Sequence, residues 1–190
     1  MTIVNVGYRS TNYWVISEGR SRLLVDLGWP GMAGKLFAEL DRKNIPFEEI
    51  RYGFATHYHM DHAGAAQDLK NKGMKLIVTP EQAPHIAPMK QWMKPEFNYT
   101  DIVTADNVVV PIGESRGFLA SIGLSGQLVH TPGHSDDSVS LLLDSGEAFT
   151  GDLTPPGFAT EDAVDIVERS WQTLRDLGAT KFYGGHGPVR

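Results

Sequence analysis

Residues 56–62 read Thr56-His57-Tyr58-His59-Met60-Asp61-His62. Three of the chain's seven histidines and one aspartate fall within six consecutive positions. At this histidine and aspartate content, H-x-H-x-D-H arises by chance in roughly one such chain in a thousand. On an extended backbone, residues two apart share a face. His57 and His59 can therefore grip one cation. Asp61 and His62 follow, and a turn there would aim them at a second position close by. Neutral imidazole and carboxylate suit zinc and its first-row neighbours.

Three later stretches offer more of the same chemistry. Thr131-Pro132-Gly133-His134-Ser135 places His134 at a Pro-Gly turn. Thr150-Gly151-Asp152-Leu153 places Asp152 after an apolar run. Gly184-Gly185-His186-Gly187-Pro188 places His186 among glycines. Each follows a strand-like run: Leu124 to Val129, Ala148 to Thr150, and Lys181 to Tyr183. Loops at strand ends, held by a rigid sheet, are the usual seats of metal-binding and catalytic groups. Two metals need about eight ligand contacts. Five histidines and two aspartates meet that number if one aspartate bridges.

With these motifs in this order, the chain resembles the metallo-β-lactamase superfamily of metal-dependent hydrolases. The resemblance runs from Leu24-Val25-Asp26-Leu27-Gly28 to Gly185-His186-Gly187. It implies an α/β (α+β) fold, the four-layer αβ/βα sandwich, with the site at the sheets' shared edge. Carried over residue by residue, it implies that His57, His59 and His134 hold metal 1. Asp61, His62 and His186 would hold metal 2, and Asp152 would bridge both. Asp26 matches a family aspartate near the site, of the kind that orients a ligating imidazole. The implied cofactor is two Zn²⁺, with iron or manganese as alternatives.

Composition bounds the reading. At 190 residues the chain is expected to form a single domain, residues 1–190, with a real core. The net charge of −6, with 17 scattered Lys and Arg, argues against a nucleic-acid partner. The absence of cysteine excludes disulfides, thiolate zinc sites and a cysteine nucleophile. It also excludes the lactamase subclasses with a cysteine ligand. No basic-then-apolar leader or membrane-length apolar run is visible. A cytoplasmic protein with a small-molecule substrate and no membrane partner is expected; oligomeric state is not legible.

Strand signals cover Thr11–Ser17, Arg22–Asp26, Arg51–Ala55, Lys75–Thr79, Val108–Pro111, Gly117–Ile122, Gln127–His130, Ser138–Leu143 and Ala148–Thr150. Helix signals cover Gly31–Lys43, Ala63–Lys72 and Glu161–Leu177, the last with Thr160 as N-cap and Gly178 as stop. Gly113-Glu114-Ser115-Arg116-Gly117 matches the G-x-S-x-G nucleophile elbow, which needs a helix after the serine. Phe118 to Leu124 reads as a strand, so a serine hydrolase is set aside. His130 reads as buried and structural, His85 as a surface residue. Met89, Trp92, Met93, Phe97 and Tyr99 could wall the site or simply pack; Trp29 is a second such residue.

The expected mechanism follows from charge. Two divalent ions ~3.5–4 Å apart lower a bridging water's pKa to about 7. A metal-bridged hydroxide would then attack a small ester-like substrate: an ester, thioester, lactone or similar. Asp61 would orient it and relay its proton. Asp152 as a bridge resembles the thioesterase, lactonase and phosphodiesterase branches. Lactonases with this site carry tyrosine three residues after the bridging aspartate, and here that position is Pro155. The glyoxalase II branch adds a C-terminal domain and the tRNA-processing branch a basic arm, and neither is expected here. The alternative within the same fold is an iron-dependent oxidoreductase, a persulfide dioxygenase or di-iron type.

Overall fold

The computed structural model describes residues 1–19 and 21–190. In chain order the strands are β1 (Thr2–Asn5), β2 (Trp14–Glu18), β3 (Ser21–Val25), β4 (Ile50–Phe54), β5 (Lys75–Val78), β6 (Val108–Val109), β7 (Gly126–His130), β8 (Val139–Leu143), β9 (Glu147–Gly151) and β10 (Lys181–Gly184). The α-helices are α1 (Ala33–Arg42), α2 (Met60–Ala63), α3 (Ala66–Lys70), α4 (Ser115–Ser121) and α5 (Val164–Asp176). One sheet runs β1-β2-β3-β4-β5-β6 and the other β10-β9-β8-β7.

Alternation along the strands builds the layers. In β2, Val15 faces one core while Trp14 and Ile16 face another; in β3, Leu24 opposes Leu23 and Val25 in the same way. In the second sheet Leu141, Leu143 and Phe149 point to the central core, and Leu142 and Ala148 point away. Period-two side chains thus make both faces of each sheet apolar. Helices must cover the outer faces. Leu36 and Leu40 of α1 and Leu69 of α3 pack on the first sheet. Val167, Trp171 and Leu174 of α5 pack on the second. The result is the expected helix–sheet–sheet–helix sandwich.

Topology then fixes where the sheets end. β3 and β4 pair in parallel, as do β9 and β10. β7 and β9 both run antiparallel to β8. So β7, β9 and β10 share one direction and finish along one edge. Loops leaving that edge carry His134, Asp152 and His186.

Several local expectations give way to tertiary context. Phe118 to Leu124 is not a strand: residues 115–121 form α4, because Ser115 and Leu119 bury one helical face, Leu119 in the central core. The helix expected over 63–72 is split into α2 and α3. Its backbone groups are drawn off to the loop after β3, with Ala65 N donating to Gly28 O at 3.0 Å and Leu27 N to His62 O at 2.6 Å. α5 starts at Val164 with Ala163, not Thr160, as its N-cap. Gly178 does end it, at φ +98°, a conformation that suits glycine. β1 carries too few alternations to be read in advance.

Candidate metal centre

The H-x-H-x-D-H stretch leaves β4 as a loop and enters α2. Asp26 directly follows β3, beside it. Its backbone is left-handed, φ +62°, and its side chain is 1% exposed. The carboxylate serves two neighbours. Oδ2 lies 2.8 Å from His62 Nδ1. Oδ1 accepts from Thr56 N at 2.8 Å and Thr56 Oγ1 at 2.9 Å. Thr56 Oγ1 is in turn 3.1 Å from His57 Nδ1. A carboxylate only accepts, so His62 carries its proton on Nδ1. The Thr56 hydroxyl donates to Asp26 and accepts from His57, so His57 is protonated on Nδ1 as well. Both rings therefore aim the Nε2 lone pair inward.

His186 is set the same way from another direction. Its Nδ1 lies 2.6 Å from the Ser10 carbonyl, which also only accepts. Thr11 Oγ1 donates to Asp61 Oδ2 at 3.1 Å, and Tyr13 Oη donates to Asp61 O at 3.1 Å. Asn12 Nδ2 donates to Gly184 O and Gly187 O, at 3.0 and 2.9 Å, fixing the last loop. The segment Ser10–Tyr13 thus positions two site residues. In sequence it shows only strand character.

All seven expected side chains converge. The ligand atoms of His57, His59 and His134 lie within 4.8 Å of one another, and so do those of Asp61, His62 and His186. Asp152 joins His57 and His62 in a third such group. Asp152 Oδ2 is 3.7 Å from His134 Nε2 and 3.3 Å from His186 Nε2, and so reaches both sides. His59 Nδ1 and His134 Nε2 face each other at 3.0 Å. Gly185 leaves the room required: a Cβ there would stand 2.5 Å from both Asp152 Oδ1 and His62 Cε1.

The residues fit a cation. His57 Nε2, His62 Nε2 and Asp152 Oδ1 are buried with no hydrogen-bond partner among the described residues. Buried polar atoms left unpaired are costly. Here they face one another across the site, where a metal would satisfy them. Electrostatics agrees. Burial, then the charge of His62 and the other histidines, holds His57 well below the ordinary histidine range. It therefore stays neutral, as a ligand must. His134 is lowered too, by burial foremost. Burial opposes protonation of His62, but Asp26 and Asp152 outweigh it and raise its pKa well above the usual value. Asp152 is lowered: burial works against it and the histidines prevail, His62 first.

A second carboxylate ties the two halves. Asp137, 2% exposed, accepts the Tyr58 N–H at 2.6 Å, and Val139 N donates to Thr56 O at 2.8 Å. The loop bearing His57 and His59 is thereby clamped to the one bearing His134. Asp137 and Thr56 give no signal in sequence beyond being short polar residues near ligands.

Other residues fall outside the cluster. His130 is exposed, not buried as expected, with Nε2 2.8 Å from Asp136 O. It ends β7 on the strand's solvent side. His85 is half-buried in a short 3-10 turn. Met89 is core, with Met93, Tyr99 and Trp29 packed against it; Trp92 is 60% exposed. A cavity of about 350 Å³ opens beside the site. His134, Asp152 and His186 line it along with Leu153, Pro155 and Trp171.

A helix–sheet–sheet–helix sandwich with a histidine–aspartate cluster at its edge defines a class of metal-centre proteins. The chain belongs to the metallo-beta-lactamase superfamily, whose sequence model matches residues 6–186. It is 31% identical over 189 residues to the beta-lactamase-like protein 2 homolog of Caenorhabditis elegans, covering 95% of this chain and 57% of that one. It is 28% identical over 186 residues to an atrochrysone carboxyl ACP thioesterase of Claviceps purpurea (strain 20.1), covering 96% and 52%. The chain thus spans little more than half the length of these relatives. In three dimensions it resembles the metallo-beta-lactamase family protein TTHA1429 from Thermus thermophilus, with TM-score 0.74 and 19% identity over 99% of this chain and 73% of that one. TTHA1623, solved in a di-iron-bound form, gives TM-score 0.74 and 22% identity over 100% and 94%. Among the described residues, no helix is long and apolar enough to cross a membrane.

Proposed function

We propose that the chain is a dinuclear zinc-dependent hydrolase of small ester-like substrates. In this reading His57, His59 and His134 hold one cation, Asp61, His62 and His186 the other, and Asp152 bridges. The observation that carries it is the pairing pattern: the outer nitrogens of His57, His62 and His186 are engaged, and buried inward atoms are left unpaired. When bound, two divalent cations supply Lewis acidity and a water acidified to about pKa 7. Asp61 Oδ2 orients the attacking water and accepts its proton. The Thr11 hydroxyl, donating to the same oxygen, keeps that carboxylate aimed. Asp26 and Thr56 hold the imidazole tautomers. Likeness to a protein described as a thioesterase supports the ester-like class. Residues 1–190 act as one domain, expected in the cytoplasm and without nucleic-acid partners.

Metal analysis of the purified protein, followed by a screen of ester, thioester, lactone and phosphodiester substrates, tests this. Two zinc ions per chain with turnover of an ester-like bond are expected. Iron with a visible absorption band and oxygen consumption would replace this reading with redox chemistry. No turnover of any of the four classes by zinc-loaded protein would overturn the hydrolase reading.

A helix does follow Ser115, but its surroundings are not those of a nucleophile. The residue is fully buried. Its hydroxyl donates to Ile112 O at 2.6 Å and accepts from Leu128 N at 2.9 Å. A short 3-10 turn, not a strand, leads into it. Both hydroxyl bonds go to backbone atoms rather than to a base. Ser115→Ala is expected to cost about 1–3 kcal/mol of stability, for a buried N–H left unpaired. Turnover should be unchanged. Urea titration and kcat on the same preparation check both, and loss of turnover in a folded variant would restore the serine as nucleophile.

A further inference from the structure

We infer that the cavity beside the cluster is an acyl pocket, and that the substrates are esters or thioesters of medium-length acids with apolar chains. The inference rests on the hydrolase reading and names its substrate class. The cavity reaches both halves of the site, at His134 and His186, so a group lodged in it sits next to the reacting bond. Its remaining walls include Leu153, Pro155, Trp171 and Phe182. Trp171 and Phe182 meet edge to face, with ring centres 4.9 Å apart.

The side-chain donors of Trp171 and Thr154 are already committed, while the exposed Arg190 also lines the cavity. Trp171 Nε1 donates to Thr154 O at 2.7 Å, and Thr154 Oγ1 donates to Gly133 O at 3.2 Å. Those bonds fix the loop after Asp152 against α5 and leave no spare side-chain donor on either residue. A polar group set against Leu153, Pro155, Trp171 and Phe182 would lose its water without gaining a partner there. An apolar chain loses nothing. The volume, about 350 Å³, is near the lower end of ~300–1,000 Å³ for ligand sites. It suits a medium acyl group and stops a long lipid chain.

The test is an acyl-length series on zinc-loaded protein, from acetyl through butyryl, hexanoyl and octanoyl to dodecanoyl thioesters of one thiol. kcat/KM should rise up to about fourfold per added methylene, the value of burying one, and fall beyond the length that fits. Pro155→Trp, on the loop, narrows the pocket and should lower the hexanoyl-to-acetyl ratio at least tenfold. Phe182→Ala widens it and should move the optimum to longer chains. Melting curves and metal content report whether each variant folds and loads. A flat length profile, or variants that change acetyl and hexanoyl rates alike, would overturn the pocket. If no ester, thioester, lactone or phosphodiester turns over, the hydrolase reading fails by itself. Calorimetry with hexanoate against acetate then decides the pocket separately: tighter hexanoate binding supports it, and equal binding sinks it.

Discussion

Asp61→Asn is expected to retain about one metal per chain while its kcat falls by at least ~10²-fold, the low end for a lost acid–base or orienting group. Asparagine keeps the shape but not the charge, and it cannot take a proton. The triad of His57, His59 and His134 does not involve residue 61. The second group does, with Asp61 Oδ2 3.3 Å from His186 Nε2 and 3.5 Å from His62 Nε2. Asp152→Asn should behave differently. Its carboxylate faces His62, His134 and His186 at once. Its loss should strip metal from both positions. Metal content and kcat measured together on the two variants separate the roles. Full activity with two metals in Asp61→Asn would mean that this carboxylate serves only the N-terminus of a short helix.

Chelation should lower the melting temperature by about 5–15 °C and abolish turnover, and zinc should restore both. A ligand held only by the folded state at 100 to 1,000 times its Kd adds about 2.7–4.1 kcal/mol. For a chain of this size each kcal/mol moves the midpoint by about 2–4 °C. The first sheet supplies His57 to His62, and the second supplies His134, Asp152 and His186, so a bound cation would staple one sheet to the other. Without it, Asp61 and Asp152 lie close with less to hold them. An unchanged midpoint, after metal loss is verified by elemental analysis, would dissociate the centre from stability.

Much of the centre is legible because its chemistry is local in sequence or marked by turns. His57, His59, Asp61 and His62 are contiguous, and His134, Asp152 and His186 each sit at a glycine-rich exit from an apolar strand. The supports are not legible. Ser10 and Thr11 act on residues 176 and 50 positions away, through a pairing of residue 11 with residue 186 that no periodicity announces. The layered fold can be anticipated from short, nearly continuous apolar runs, as in β2, β3 and β8, interleaved with helical spacing. Helix α4 cannot. Gly117 weakens its intrinsic preference, and burial of Ser115 and Leu119 against the second sheet decides the matter. Helical spacing marks Trp171 as a core residue. It is one, and its ring is also part of the cavity wall.

Asp26 holds a backbone shape that glycine would adopt at lower cost, since left-handed geometry costs other residues roughly 1–2 kcal/mol. The chain keeps the strained residue because only a carboxylate can grip both Thr56 and His62. Stability and function therefore pull in opposite directions at this one position. Breeding the protein for heat resistance alone would relax the backbone there and release two imidazoles from their orientation. A search for hardier descendants has to select for metal retention as well, or it will drift toward a tougher but emptier fold.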